Sequence, residues 1–142
     1  MPTLVQHIKV LAKADPDRLG NEPLIKQAMA DLVKLVQMQP LGEPVVHNVP
    51  LEIEKLNREK FEDEGGITTQ RAGGRMEPAY QGIHTLSTSH VAIHTWPLRE
   101  EFKLDIFSCR EYDADLVVGF LTEVFHITHS KVTDLSASCE WD

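Results

Sequence analysis

Four side chains between Ser89 and Cys109 could do chemistry together. The stretch reads Ser-His-Val-Ala-Ile-His-Thr-Trp-Pro-Leu-Arg-Glu-Glu-Phe-Lys-Leu-Asp-Ile-Phe-Ser-Cys. The Ser89 hydroxyl can attack a carbonyl, His90 and His94 can carry protons near neutral pH, and the Cys109 thiol can give one up. The elements around them decide whether they meet. Val91, Ile93, Thr95, Trp96, Phe102, Ile106 and Phe107 favour strands. Pro97 ends the first run because it has no N–H for a ladder. The polar connection Leu98 to Glu101 has the length of a four- or five-residue hairpin loop. A hairpin centred on Arg99 sets His94 opposite Leu104 and Ser89 opposite Cys109, with opposed Cβ atoms about 5 Å apart. Hydroxyl and thiol are then expected side by side, an expectation that a one-residue slip of register would undo.

His90 and His94 lie four apart, which invites a metal reading. On a strand without acidic partners that spacing is a weak signal, and no metal site is expected. His126 and His129 are expected at the surface or at a helix C-terminus. Cys139 is read as structural, and Glu62-Asp63-Glu64 as a solvated face. No glycine-rich phosphate loop follows a strand, which argues against nucleotide-phosphate chemistry.

Thr88-Ser89-His90-Val91-Ala92-Ile93-His94-Thr95-Trp96-Pro97, followed by Asp105-Ile106-Phe107-Ser108-Cys109, resembles the core of the prokaryotic S-adenosylmethionine decarboxylases. These are small pyruvoyl-dependent enzymes made as proenzymes, and the spacing from serine to second histidine to cysteine matches theirs without a gap. The resemblance implies that the Ser89 hydroxyl attacks the Thr88 carbonyl, converting the amide to an ester. Elimination, for which His94 is the matching proton carrier, and hydrolysis would then leave a pyruvoyl group at residue 89. A β chain of residues 1–88 and an α chain of residues 89–142 would result. The pyruvoyl ketone is the implied covalent cofactor, an electron sink that takes the substrate amine as a Schiff base. Cys109 matches the residue that returns a proton after carbon dioxide leaves. The implied product is decarboxylated S-adenosylmethionine, for polyamine (spermidine) synthesis, and the implied assembly is a homodimer of processed protomers.

Some positions depart from the family pattern. Thr88 stands where a glutamate usually precedes the cleaved serine. Strand alternation points Ser89 and His94 to opposite faces, so a bend at Ser89 is expected if both act on one bond. Leu98 replaces the glutamate of Thr-Trp-Pro-Glu, which holds the substrate's ribose hydroxyls; leucine accepts no hydrogen bond. A smaller basic amino acid, ornithine or arginine, is therefore an alternative substrate, and a non-enzymatic, unprocessed binding module a second alternative. Gly66-Ile67-Thr68 resembles the family's upstream processing element, which gives Thr68 a hydroxyl role. Phe61 is then placed near the aromatic that stacks on adenine, and Gln70 to Gln81 reads as an insertion.

The remaining chain must position this hairpin. A length of 142 residues fits a single domain, residues 1–142. The formal net charge of −8 argues against a nucleic-acid surface. Two cysteines are too few for a disulfide framework, so a reducing, cytoplasmic setting is expected. No apolar run reaches the roughly 18 residues of a membrane span, and no signal-peptide pattern opens the chain. Thr3 to Ala12 alternates as a strand. After the turn Asp15-Pro16-Asp17, Asn21 can cap a helix with an apolar stripe of Leu24, Ile25, Ala28, Met29, Leu32, Val33 and Val36. Val45 to Val49 reads as a second strand, Glu52 to Gln81 as a long excursion with a short helix over Leu56 to Glu64, and His84 to Ser87 as the approach to the hairpin. Asp113 can cap a second helix with Leu116, Val117, Phe120, Leu121 and Val124 buried. Lys131 to Ser138 reads as a last strand. The fold expected is α/β (α+β): a two-layer sandwich, mainly antiparallel sheet with two helices on one face.

Overall fold

The computed structural model describes residues 3–52 and 76–140. Strand β1 (Thr3–Lys13) leads through a single helical turn, α1 (Pro16–Leu19), into α2 (Glu22–Leu35). Then come β2 (Val45–Asn48), β3 (Leu51–Glu52), β4 (Met76–Glu77), β5 (Tyr80–Leu86), β6 (Ser89–Trp96) and β7 (Glu101–Ser108). Helix α3 (Ala114–Phe125) and strands β8 (His129–Asp134) and β9 (Ala137–Cys139) follow. The main sheet has seven strands, ordered β2-β5-β6-β7-β1-β8, with β9 also pairing with β1. Every paired register is antiparallel. This is the expected two-layer sandwich.

Alternation builds the sheet's two faces. Ile8, Val10 and Ala12 of β1, Val91, Ile93 and Thr95 of β6, and Phe102, Leu104, Ile106 and Ser108 of β7 are buried on one face. Helix α2 covers that face with Ile25, Ala28, Met29, Leu32 and Val33, and α3 with Val117, Leu121 and Phe125. Burying one such side chain is worth about 1.5–3 kcal/mol relative to leaving it in water. The Asn21 side chain accepts from the Leu24 N–H at 3.1 Å, and Asp113 from the Asp115 and Leu116 N–H groups at 2.9 and 3.3 Å, so both expected caps are present. The α3 stripe is rotated from the one expected: Leu116 is exposed and Phe125 is buried against Phe102. α1 is pinned to β6 by the buried Thr95 hydroxyl, which donates to the Leu19 carbonyl at 2.8 Å.

The expected last strand is two strands. After Asp134 the chain turns on itself: the Asp134 carboxylate accepts from the Ser136 N–H at 2.8 Å, and His7 of β1 bonds both Leu135 N–H and Ser136 Oγ. The approach to the hairpin is a full strand, β5, and its first residues Tyr80 and Gln81 come from the stretch read as an insertion. Phe61, Gly66-Ile67-Thr68 and the helix over residues 56–64 lie outside the described residues. None of the helices formed by the described residues is long and apolar enough to cross a membrane.

Candidate active site

β5 and β6 are joined by only two residues, Ser87 and Thr88, since Leu86 pairs directly with Ser89. Thr88 has φ +62°. A two-residue turn needs such a left-handed residue, and Gly or Asn usually supplies it. A β-branched threonine there is strained, by about 1–3 kcal/mol. The turn is braced from the α2–β2 connection: the Ser87 N–H donates to the Gln39 carbonyl at 2.9 Å, and the Leu41 N–H to the Thr85 carbonyl at 3.0 Å. The Thr88 hydroxyl donates to the Ser87 carbonyl at 2.6 Å.

Ser89 begins β6, and its hydroxyl donates to the Ser108 hydroxyl oxygen at 3.0 Å. Ser108 is fully buried, and its oxygen also accepts from the Arg110 N–H at 2.9 Å. The expected register is therefore off by one. Ser89 pairs with Ser108, and His94 with Lys103. The cause is the turn: Pro97–Arg99 forms a 3-10 turn, Glu100 takes φ +56°, and its N–H bonds the Pro97 carbonyl at 3.0 Å. Trp96 then closes against Glu101, so the connection is the shorter of the two expected lengths, four residues. The hairpin is centred between Leu98 and Arg99 rather than on Arg99. Cys109 is exposed and comes one place past Ser89's partner. Its connection to α3 is held at the far end by Gln6, whose side-chain amide exchanges two hydrogen bonds with the Tyr112 backbone at 2.8 and 2.9 Å. The Tyr112 hydroxyl donates to the Ile106 carbonyl at 2.8 Å, and burial pushes its phenol well above the usual range.

His94 sits on the other face of β6, which no helix among the described residues covers. It is five residues from Ser89, about 16 Å along the strand. It stacks on Trp96 with ring centroids 6.1 Å apart, and the Lys103 ammonium lies 5.4 Å from the indole centroid. Gln81 stands directly across from it on β5. Burial first, and then Lys103, hold the His94 imidazole below its ordinary value, while Asp105 pulls it back up. His90 is stacked on Phe107 at 5.3 Å, with His7 edge-on to the same ring and bonded to Asp105 at 2.5 Å. Among the described residues no three metal-ligating side chains cluster.

Leu98 is exposed on the turn. Beside it the Arg99 guanidinium donates to the fully buried Glu77 carboxylate at 3.2 Å. Three polar side chains here escaped the sequence reading: Ser108, Gln81 and the buried His84, whose Nε2 bonds the Gly42 carbonyl at 3.1 Å. Ser108 had one readable signal, its place on the inward row with Phe102, Leu104 and Ile106.

Residues 6–137 match the family model for S-adenosylmethionine decarboxylase, so the chain belongs to that family. It is 33% identical over 88 residues to an S-adenosylmethionine decarboxylase proenzyme of Acetivibrio thermocellus, covering 58% of this chain and 68% of that one. A proenzyme of the same name from Caldicellulosiruptor saccharolyticus is 27% identical over 103 residues, or 71% of this chain and 82% of the relative. The crystal structure of the adenosylmethionine decarboxylase from Aquifex aeolicus shares the fold, with TM-score 0.63 and 15% identity over 93% of this chain and 88% of that one. The ornithine or arginine reading and the non-enzymatic reading are not favoured by these relatives.

Proposed function

We propose that this chain is a proenzyme that cuts itself between Thr88 and Ser89 and then decarboxylates S-adenosylmethionine, yielding the decarboxylated product used in polyamine synthesis. The family match supports the activity. One observation carries the assignment of the bond: a strained left-handed Thr88 immediately precedes a serine whose hydroxyl is already held by a hydrogen bond. Attack of Ser89 Oγ on the Thr88 carbonyl carbon forms the ester and breaks the C–N bond. Leaving the left-handed turn relieves its strain, which favours the forward direction. Elimination removes the Ser89 α-proton and frees the Thr88 carboxylate. One water then releases ammonia and leaves the ketone at residue 89, giving chains of residues 1–88 and 89–142.

The neighbourhood fits such a ketone. Ser108 offers a hydroxyl that can donate to a carbonyl oxygen, and Cys109 follows it in the chain. A pyruvoyl group supplies an electron sink for the bond to the departing carboxylate. The role left to this chain is proton delivery, for which Cys109 Sγ is the candidate donor. A reducing, cytoplasmic setting would keep it a thiol.

His94 is the candidate proton carrier for elimination, yet it lies on the opposite face from Ser89 of its own chain. This supports a homodimer in which a second copy brings its His94 to the first copy's Ser89. Among the described residues no helix covers the face that carries Leu11, Ile83, His90, His94, Trp96 and Phe107, so His94 faces outward from its own chain.

Intact mass spectrometry of the purified protein tests the reading. Two fragments of about 10 and about 6 kDa are expected from the chain lengths. The smaller should carry the mass of a pyruvoyl end. Ser89→Ala should leave one uncut chain, and a wild-type chain that stays whole would sink the proposal.

A further inference from the structure

We infer that Ser108 is a second working hydroxyl of the self-cleavage step. It accepts the hydrogen bond of the Ser89 hydroxyl and fixes the direction of that oxygen toward the Thr88 carbonyl. The inference rests on the self-processing reading above. Its first support is contact: the two oxygens are 3.0 Å apart, and the residues are directly paired across β6 and β7.

Its second support is placement. Ser108 occupies the inward row of β7, following Phe102, Leu104 and Ile106, and is fully buried. A hydroxyl in such a row loses its water and is tolerated only when hydrogen-bonded, whereas an apolar side chain would need no partner. Third, the Ser108 oxygen is itself fixed. The Arg110 N–H donates to it at 2.9 Å from the main chain, so its free lone pair is aimed by backbone.

Among the described residues, neither buried nor outward-facing histidines reach Ser89. His94 faces the opposite side of the sheet, and the buried His84 directs Nε2 at the Gly42 carbonyl. An accepted hydrogen bond raises the electron density on Ser89 Oγ and removes its rotational freedom before attack. As the Oγ–C bond forms and the C–N bond breaks, the Ser89 proton ends on the departing nitrogen. Atoms and charge balance without a further reactant.

The test compares Ser108→Thr with Ser108→Val, which have nearly the same shape and differ by the hydroxyl. Cleavage is followed by intact mass during cell-free synthesis, and purified uncut precursor is then incubated from about pH 7 to about pH 9. The threonine variant should cleave like wild type. The valine variant should be about tenfold slower at neutral pH, the scale of one hydrogen bond, and should recover as hydroxide replaces the missing acceptor. A purely structural role would not produce that pH dependence. Melting curves in a Ser89→Ala background show whether either variant disturbs the fold; if the larger side chains do, Ser108→Ala against wild type gives the same reading. Equal rates with and without the hydroxyl, while wild type is cut, overturn the role of Ser108 and leave self-processing standing. An uncut wild-type chain overturns both.

Discussion

At its Ser89 end, β6 begins from a left-handed threonine and a hydroxyl bonded to a second, buried hydroxyl, with no charged side chain in the chain of bonds. At its Trp96 end it carries an imidazole, an indole and a neighbouring lysine, all on the face opposite the described helices. The first end can hold a nucleophile and store strain. The second can move a proton at neutral pH. A strand is stiff, so the two cannot meet within one chain: about 16 Å and the thickness of the sheet separate them. In the homodimer proposed above, the two groups come from two chains.

The largest effect should come from mixing chains. A Ser89→Ala chain lacks the nucleophile, and a His94→Ala chain lacks the imidazole. Expressed alone, neither should be cut. Expressed together, the His94→Ala chain should be cut, because its partner supplies the imidazole. Cleavage of the isolated His94→Ala chain at the wild-type rate would remove His94 from the reaction. No cleavage in the mixture, with mixed dimers confirmed by mass, would mean that both groups act within one chain after a rearrangement of β6.

A middle-sized effect separates stability from chemistry. Gly82 lies between the two ends, on the core side of β5 behind the Gln81–His94 pair. A Cβ there would sit 2.8 Å from Met29 Sδ, 3.1 Å from Ile93 Cγ2 and 3.3 Å from Val46 Cγ2. Gly82→Ala should cost about 1–3 kcal/mol by overpacking, read as a lower denaturation midpoint of the uncut Ser89→Ala chain. At low temperature cleavage should persist, since neither end loses a reacting group. An unchanged midpoint would show that Met29 and α2 yield more easily than the packing suggests.

Which of these features could be read beforehand follows from the kind of signal each carries. β1, α2, β6 and β7 announce themselves through periodic apolar residues, and the caps Asn21 and Asp113 mark helix starts. β5 was hidden because its inward positions are Gly82, His84 and Leu86, of which only the last looks like core. The hairpin register escaped because it depends on one backbone angle, at Glu100, that no side-chain type dictates. Ser89, His94 and Cys109 stand out as reactive types at a family spacing. Ser108 does not, because a serine shows its worth only once burial has removed its water. The separation of Ser89 from His94 was half visible: alternation put them on opposite faces, but the expected bend at Ser89 is a tight turn before it rather than a change of face.

The smallest effect concerns the imidazole itself. Burial and then Lys103 disfavour protonated His94, and Asp105 opposes them less strongly. The unfolded chain therefore takes up this proton at a higher pH than the fold does. The stability contributed by neutral His94 is complete above about pH 6.5, the ordinary histidine value, and is lost as pH falls below it. The same shift keeps the imidazole in its proton-accepting form, so the acid limb of cleavage should lie below the ordinary histidine value. Lys103→Met removes the second cause and should move that limb to higher pH, whereas Asp105→Asn removes the opposing charge and should move it lower. Lys103 also rests on Trp96, so its loss frees the indole, but a packing change alone would slow cleavage without displacing the limb. Two variants that shift the limb in the same direction, or not at all, would show that the titrating group is not His94, and the contrast between the two ends of β6 would have to be redrawn around a different proton carrier.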